Sequence, residues 1–408
     1  MRLAFAATTL SASATLSASA PEPRAYTSRR LRVPLGPLDG DLDKPAWRAA
    51  PWSDDFADIR GSLDAPADAA PPAGCRTRIK MLWDDEFLYI GAELTYDGPQ
   101  FKIEAHFTAR NSPIFQRDSD IEVFLDASEG SCACYRELEL SPINVKWNLL
   151  LDRPYMDGGA EHSGRVAAPG EPLYWDVSAQ RTAVRLLRGR IGDASGPSAW
   201  SAEIAISHNE TMSHPPGQCV TCAASEGGPA DQAPRRGPRV GDVWRVNFSR
   251  VEKKGLVNWT WTPQIAFDPG ALKWAGVIDM HRPESWGALK FGDDSGKLPA
   301  ESGEGVPDWA LRSAGAMLYY AQRAYRDGVG AGRYARTTDE LVRAGLVELA
   351  LLDAVEVKQL PRDAGGKEEG YMLVLSPRGV DGPAAQLSVR DDRLMQIRRA
   401  PHVQPPAE

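Results

Sequence analysis

Acidic residues gather in two short stretches, DSDIEVFLDA and YRELEL, which set Asp118, Asp120, Glu122 and Asp126 beside Glu137 and Glu139. Acidic and apolar side chains alternate in both, the period of a strand with one dry and one polar face. Two suitably separated carboxylates suffice for glycoside hydrolysis. The same groups also make bidentate hydrogen bonds to sugar hydroxyls, while the apolar faces of a sugar ring stack on Trp or Tyr. By strand parity Arg78, Lys80, Asn144, Arg245 and Asn247 join Asp120, Glu122, Glu137 and Glu139 on polar faces. Trp175, Trp259 and Trp261, in the polar segments EPLYWDVS and NWTWTPQ, are the candidate stacking platforms. Trp83, Trp147 and Trp244 share parity with apolar neighbours and read as core. An ordinary solvated sheet face is the competing reading of the polar set. No His-Glu-x-x-His, phosphate-loop or Gly-x-Ser-x-Gly pattern accompanies the carboxylates, so non-covalent binding is preferred to catalysis.

Other residues with chemistry of their own point elsewhere. Cys132, Cys134, Cys219 and Cys222 offer four thiolates to zinc, with His208 and His214 flanking the second pair, or form disulfides. Met81, Met280 and His281 are possible axial ligands of a haem in an electron-transfer sandwich. A protein-interaction module with no small ligand is a further alternative. Asn209, Asn247 and Asn258 match the glycosylation acceptor pattern, with Asn209 the best placed in a loop.

The elements that must position these residues are mostly strands. KMLWDDEFLYIGAEL is an antiparallel hairpin: Ile79, Met81 and Trp83 share one face, Asp84, Asp85 and Glu86 turn the chain, and Phe87 to Leu94 return. LRVPL, opening at Leu31, and the later segments NVKWNLLLD, RTAVRLLRG, AWSAEIAIS, DVWRVNFSRVE, NWTWT and WGALKF extend the series, which turn residues separate. Many short strands with Gly/Pro-rich connections predict a two-sheet antiparallel sandwich over residues 31–292. SHPPGQCVTCAASEGGPADQAPRRGPRVGD reads as a long excursion loop, and residues 293–307 as a linker. From Asp308, Leu311, Ala314, Leu318, Ala321 and Tyr325 recur at helical spacing, and TTDELVRAG and three or four short strands follow. Residues 308–400 therefore form a small α+β domain; its run LYYAQRAYRDGVGAGRYARTTDEL looks like the soluble part of type IV pilin-like proteins.

Bulk composition narrows the partners. The chain has 408 residues, 42% of them hydrophobic, and a net charge of −8. Disorder throughout is excluded, and neither nucleic acid nor an anionic membrane is attracted to such a charge. Residues 1–20 carry one positive charge, small residues and no acid, as a secretory signal or an organelle transit peptide does, so the secretory pathway or the exterior is expected, with an organelle as the alternative. Secretion also favours disulfides over zinc. No later window is apolar for long enough to span a membrane.

Taken in order, LDGDLDKPAWRAAPW, RTRIKMLWDDEFLYIGAEL, DSDIEVFLDA, YRELELSPINVKWNLLLD, WSAEIAI, GDVWRVNFSRVE and HRPESWGALKF resemble the family 9 carbohydrate-binding modules and their stand-alone relatives. The resemblance implies a jelly-roll-type β-sandwich that binds oligosaccharide or polysaccharide as an accessory to polysaccharide breakdown, sometimes with structural calcium. It places Glu122 at a ligand-contacting Glu of that family. The stacking tryptophan ahead of that strand has no counterpart here, Phe115 being the nearest aromatic, and Trp286 is offset from the second one. Glu139 stands where an Arg is expected.

Overall fold

The protein, described from a computed structural model, is placed for residues 19–66, 68–127, 134–212, 237–352, 355–361, 370–377 and 385–398. Residues 1–18, most of the excursion loop, and Cys132, Cys219 and Cys222 lie outside these residues.

The opening hairpin forms as its pattern requires. Strands β3 (Thr77–Trp83) and β4 (Phe87–Tyr96) pair antiparallel, with Trp83 opposite Leu88. Asp84 closes the turn, because its Oδ1 accepts the amides of Glu86 and Phe87 at 2.8 Å and its Oδ2 accepts the Tyr89 hydroxyl at 2.6 Å. Tied in this way, the acid both terminates β3 and orients the first turn of β4.

One sheet of the sandwich runs in the order β8 (Glu161–Ser163), β7 (Lys146–Leu151), β6 (Tyr135–Leu140), β5 (Ile121–Asp126), β11 (Val243–Glu252) and β15 (Gly287–Phe291). The other runs β3, β4, β10 (Ser198–Ser207) and β9 (Arg181–Arg188). A single strand, β1 (Ala25–Arg30), belongs to both: Ala25–Ser28 run parallel to β15, then Arg29 and Arg30 run parallel to β3. Short strands β2 (Ala57–Asp58) and β12 (Val257–Thr260) extend β11 at one end. Between the sheets lie Ile79, Met81, Trp83, Val123, Leu125, Leu138, Trp200, Trp244, Phe248 and Trp261, the apolar parity of each strand. Each fully buried large side chain contributes roughly 1.5–3 kcal/mol. The mainly β sandwich is thus the fold, with two parallel pairings at β1 that alternation does not reveal.

Two boundaries differ from expectation. The sheet begins at Ala25 rather than Leu31, and Leu31–Leu35 is not a strand. After the Leu31 amide bonds the Trp83 carbonyl the chain leaves the sheet, and Pro34 has no N–H with which to continue a ladder. The segment then crosses the outer face of the second sheet, where Leu42, Trp47 and Ala50 pack on Leu82, Tyr89 and Ala205. Trp47 is anchored by an indole hydrogen bond to Glu203 at 2.7 Å. The sheet face expected to be polar at Arg78 and Lys80 is covered instead.

The C-terminal unit is a helix, Trp309–Asp327, laid on an antiparallel sheet of β16 (Val355–Pro361), β17 (Tyr371–Pro377), β18 (Gln386–Arg390) and β19 (Met395–Arg398). Leu311, Leu318 and Ala321 face that sheet's Leu373, Leu387 and Val389, and Tyr325 packs at the margin. Asp308 precedes the helix in a left-handed conformation (φ 56°), and its side chain does not cap it. Thr337 does cap the following helix, Thr338–Arg343, accepting the Glu340 amide at 3.3 Å. The long helix also packs on a hairpin of β13 (Ile265–Asp268) and β14 (Lys273–Gly276), so Ala266 and Phe267 share the C-terminal core. Among the described residues no helix is long and apolar enough to cross a membrane.

Candidate functional site

Strand register aligns the acidic residues. Across four neighbouring strands Ser249 of β11 lies opposite Glu122 of β5, Glu122 opposite Glu139 of β6, and Glu139 opposite Trp147 of β7. The next row on the same face is Asn247, Phe124, Glu137 and Leu149. Ile121, Val123, Leu125 and Leu138, of opposite parity, fill the sandwich interior. The acids therefore sit on the outer face of this sheet. That face is not open to solvent: segment 278–286 and the Tyr155–Asp157 turn cover part of it, leaving a cavity of about 420 Å³.

The cavity combines ring faces and carboxylates. Phe115 stacks on Trp147 with centroids 5.9 Å apart and planes 20° from parallel, and the Arg165 guanidinium lies 5.0 Å from the Trp147 ring. Tyr155 meets His281 edge-on at 4.6 Å. Glu122, Glu137, Glu139 and Glu161 supply acceptors, Glu161 being paired with Arg165. The Tyr135 hydroxyl and His281 Nδ1 are 2.7 Å apart, and His281 Nε2 is 3.9 Å from Glu137.

Burial and mutual repulsion set the protonation of these groups. Burial pushes the Glu122 carboxyl up to about 7. Asp120, Glu137 and Glu139 are raised well above the ordinary carboxylate range, first by burial and then by repulsion from Glu122. Burial drives the His281 imidazole down to about 4. Asp120 Oδ1 accepts the Val251 amide at 3.1 Å, and the Phe115 amide donates to Glu139. Near neutrality, then, the cluster holds protons and can donate as well as accept hydrogen bonds.

The structure separates the residues that the sequence groups. Asp120, Glu122 and Glu139 come together, with Glu137 beside them. Arg78 and Lys80 belong to the other sheet: Arg78 pairs with Glu93 at 2.9 Å over the Trp52 ring, and buried Lys80 donates to the Trp47 carbonyl at 2.7 Å. Arg245 donates to the Glu284 carbonyl at 3.1 Å, and Asn247 is spent on the Thr262 backbone at 2.8 Å and 2.9 Å. Asn144 occupies a left-handed turn position between β6 and β7. Trp175, Trp259 and Trp261 are buried in the sandwich core and present no ring face to a ligand. Thr260 and Thr262 beside them are buried too, so hydrophilic neighbours in sequence say nothing about the ring itself. Asn247 is fully buried, which also removes it as a glycosylation acceptor in the folded chain. Asp118 turns away to the amides of His106 and Phe107.

Trp147, which parity assigns to core, is the ring that lines the cavity. Its parity was sound, but the outer face of β7 is itself apolar and covered. Register opposite Glu139 is the signal that places it. Phe115, Tyr155, Glu161 and Arg165 come from loops and a short edge strand, where periodicity carries no information.

As for prosthetic groups, Met81 is sealed between the sheets, whereas Met280 and His281 line the cavity, so the three do not converge on one haem. Cys134 is buried at the entry to β6, and its three possible zinc partners lie outside the described residues. Asp120, Glu122 and Glu139 each place a carboxylate oxygen within 4.8 Å of the others, a donor set suited to a hard cation such as calcium. Another cavity, about 480 Å³ and mostly apolar, lies where residues 20–24 meet Trp309 and Ser313, and none of the acids, polar strand residues or candidate stacking tryptophans singled out above lines it.

No protein-family model matches the sequence, and no curated protein matches it. Solved structures do. A Bacteroides uniformis protein, provisionally described as carbohydrate-binding, aligns with TM-score 0.43 and 12% identity over 66% of this chain and 99% of its own. A family 9 carbohydrate-binding module from Caldicellulosiruptor kristjanssonii, in complex with cellotriose, aligns with TM-score 0.35 and 16% identity over 68% of this chain and 100% of its own. The module from the same organism with glucose gives 0.34 and 16% over 67% and 98%. These are what the chain is similar to, and family 9 is the one its seven ordered segments resemble.

Proposed function

We propose that the outer-face cavity binds a saccharide non-covalently, and that the protein acts as an exported accessory in recognising or breaking down a polysaccharide. The observation that carries this reading is that aromatic side chains and buried carboxylates line one cavity: half-buried Phe115, backed by the buried Trp147 ring, and exposed Tyr155, with Glu122 of β5 and Glu137 and Glu139 of β6. A pyranose needs both, an apolar surface for its axial C–H groups and acceptors in fixed positions for its hydroxyls. Ligands of solved neighbours, cellotriose and glucose, are of this class.

The test is calorimetry against a panel of soluble cello-, xylo- and manno-oligosaccharides, with pull-down on the insoluble polymers. Wild type is expected to bind at least one, and Phe115→Ala and Glu137→Gln to weaken it tenfold or more with unchanged circular dichroism. Failure of wild type to bind any member removes the reading. Release of reducing ends from a bound glycan replaces binding with hydrolysis, for which the close carboxylates would be the candidates.

A further inference from the structure

We propose that the apolar cavity at residues 20–24 binds a small monocarboxylate with an apolar body, its head group held by Arg24. The cavity measures about 480 Å³, within the range of roughly 300–1,000 Å³ that small-molecule sites occupy. Its walls come from residues 20–24, from the short helix Gly61–Asp64 with the loop after it, and from the long C-terminal helix. Pro23, Ile265 and Ala316 are buried in these walls, while Leu63, Pro66 and Ala70 line the cavity and are exposed, which marks its mouth. The wall at residues 20–24 is fixed in place: the Ala20 amide donates to Ser313 Oγ at 2.7 Å, and the Trp309 indole donates to the Ala20 carbonyl at 2.8 Å. An apolar space formed in advance takes an apolar molecule without having to order the chain around it.

Charge decides the head group. Arg24 is the one basic side chain among the described residues that line the cavity. Its Nη1 donates to the Asp55 carbonyl at 2.8 Å, but its carboxylate partner, Asp54, is exposed and stays 3.8 Å from Nε. Burial works against the guanidinium's charge, and a closer, bidentate acceptor would offset that. The acids on the same walls are already matched: Asp58 with Arg60 at 2.9 Å, Glu284 with Arg393 at 2.9 Å, and Glu22 with the Val306 amide at 2.6 Å. Two further lining residues hold buried polar atoms without partners, the Thr262 hydroxyl and the Trp274 indole N–H. Both can donate, so the unmet groups on these walls ask for an acceptor, and a carboxylate is the one whose geometry fits a guanidinium. A cationic head would meet only acids that have partners. None of these residues lines the saccharide cavity, so the two sites stand or fall separately.

The experiment is calorimetry on the full chain with octanoate and naphthoate, which share the carboxylate and differ in the body, and with octanol as the uncharged control. One equivalent of at least one carboxylate is expected to bind, and to bind about tenfold more tightly than octanol. Arg24→Gln should lose that preference while leaving octanol binding as it is. Ala65→Phe, which fills the cavity from its half-buried edge, should weaken every ligand with circular dichroism unchanged. Glu137→Gln, in the saccharide cavity, should bind the carboxylate as wild type does. The comparison of carboxylate with alcohol is made in wild type, so the proposal can fail even where a variant does not fold. Absence of carboxylate binding, octanol binding as tight as that of octanoate and naphthoate, or an undiminished preference in folded Arg24→Gln overturns it.

Discussion

His281 shows how one side chain can report on the cavity. Its imidazole meets Tyr135, Tyr155 and Glu137, with Asp279 and Arg282 on its own segment. Burial lowers its folded value to about 4, from 6.5 in the unfolded chain. Above pH 6.5 the ring is neutral in both states. Between 6.5 and about 4 the unfolded chain binds a proton that the folded one refuses, so this residue's stabilisation is lost as pH falls, about 3 kcal/mol by the acid end. The stability of wild type relative to His281→Gln should therefore decline from pH 7 to pH 4 in urea titrations. A difference that is flat with pH would mean the ring is protonated as readily in the fold as outside it.

At the level of strands, the cavity depends on register, and register depends on how closely β15 can approach its neighbours. Gly287 begins that strand, and a Cβ there would lie 2.3 Å from Trp261 Cζ3 and 2.6 Å from the Arg24 carbonyl oxygen. Neither group can yield, one being a core ring and the other backbone of the segment leading into β1. Gly287→Ala is expected to cost about 1–3 kcal/mol, read as a lower urea midpoint with an unchanged slope. The same logic explains why Trp147 and Glu139 meet: one residue of slip of β7 against β6 would put Trp147 on the opposite face from Glu139.

For the whole molecule, the notable coupling is between the C-terminal unit and the cavity wall. Arg393, from the turn before β19, is fully buried and forms ion pairs with Asp157 and Glu284 at 2.9 Å each. Tyr319 and Arg323 of the long helix also hold Asp157, and Tyr320 holds Glu284. Asp157 is two residues from Tyr155, which lines the cavity, and Glu284 lies in the segment that covers it. The sandwich and the α+β unit are therefore one structural body at this junction, despite the linker-like composition of residues 293–307. Arg393→Leu leaves buried Glu284 without its ion-pair partner and Asp157 with Arg323 alone, and should cost about 3–5 kcal/mol in global unfolding. It should also weaken glycan binding by disturbing Tyr155, although Arg393 does not line the cavity. Affinity unchanged in a destabilised variant would show that the two units are energetically separate.

The sequence by itself determined most of the strands, the turn at Asp84–Glu86, the sandwich interior and the long helix, because period and turn chemistry are local quantities; it missed β1, whose place is set by its parallel partners. It also singled out Glu122, Asp120 and Glu139, since alternation with apolar neighbours shows which acids share a face. It placed Trp83 and Trp244 in the interior, as they are, and misassigned Trp175, Trp259 and Trp261, because polar neighbours in sequence do not show whether a ring is covered. Arg78, Lys80, Arg245 and Asn247 were polar by pattern and are internal by contact, satisfied by carbonyls and acids from segments up to 39 residues away. Only the tertiary structure decided that Phe115, Tyr155 and His281 join the acids, for loops reach a site through packing, and packing depends on the entire chain.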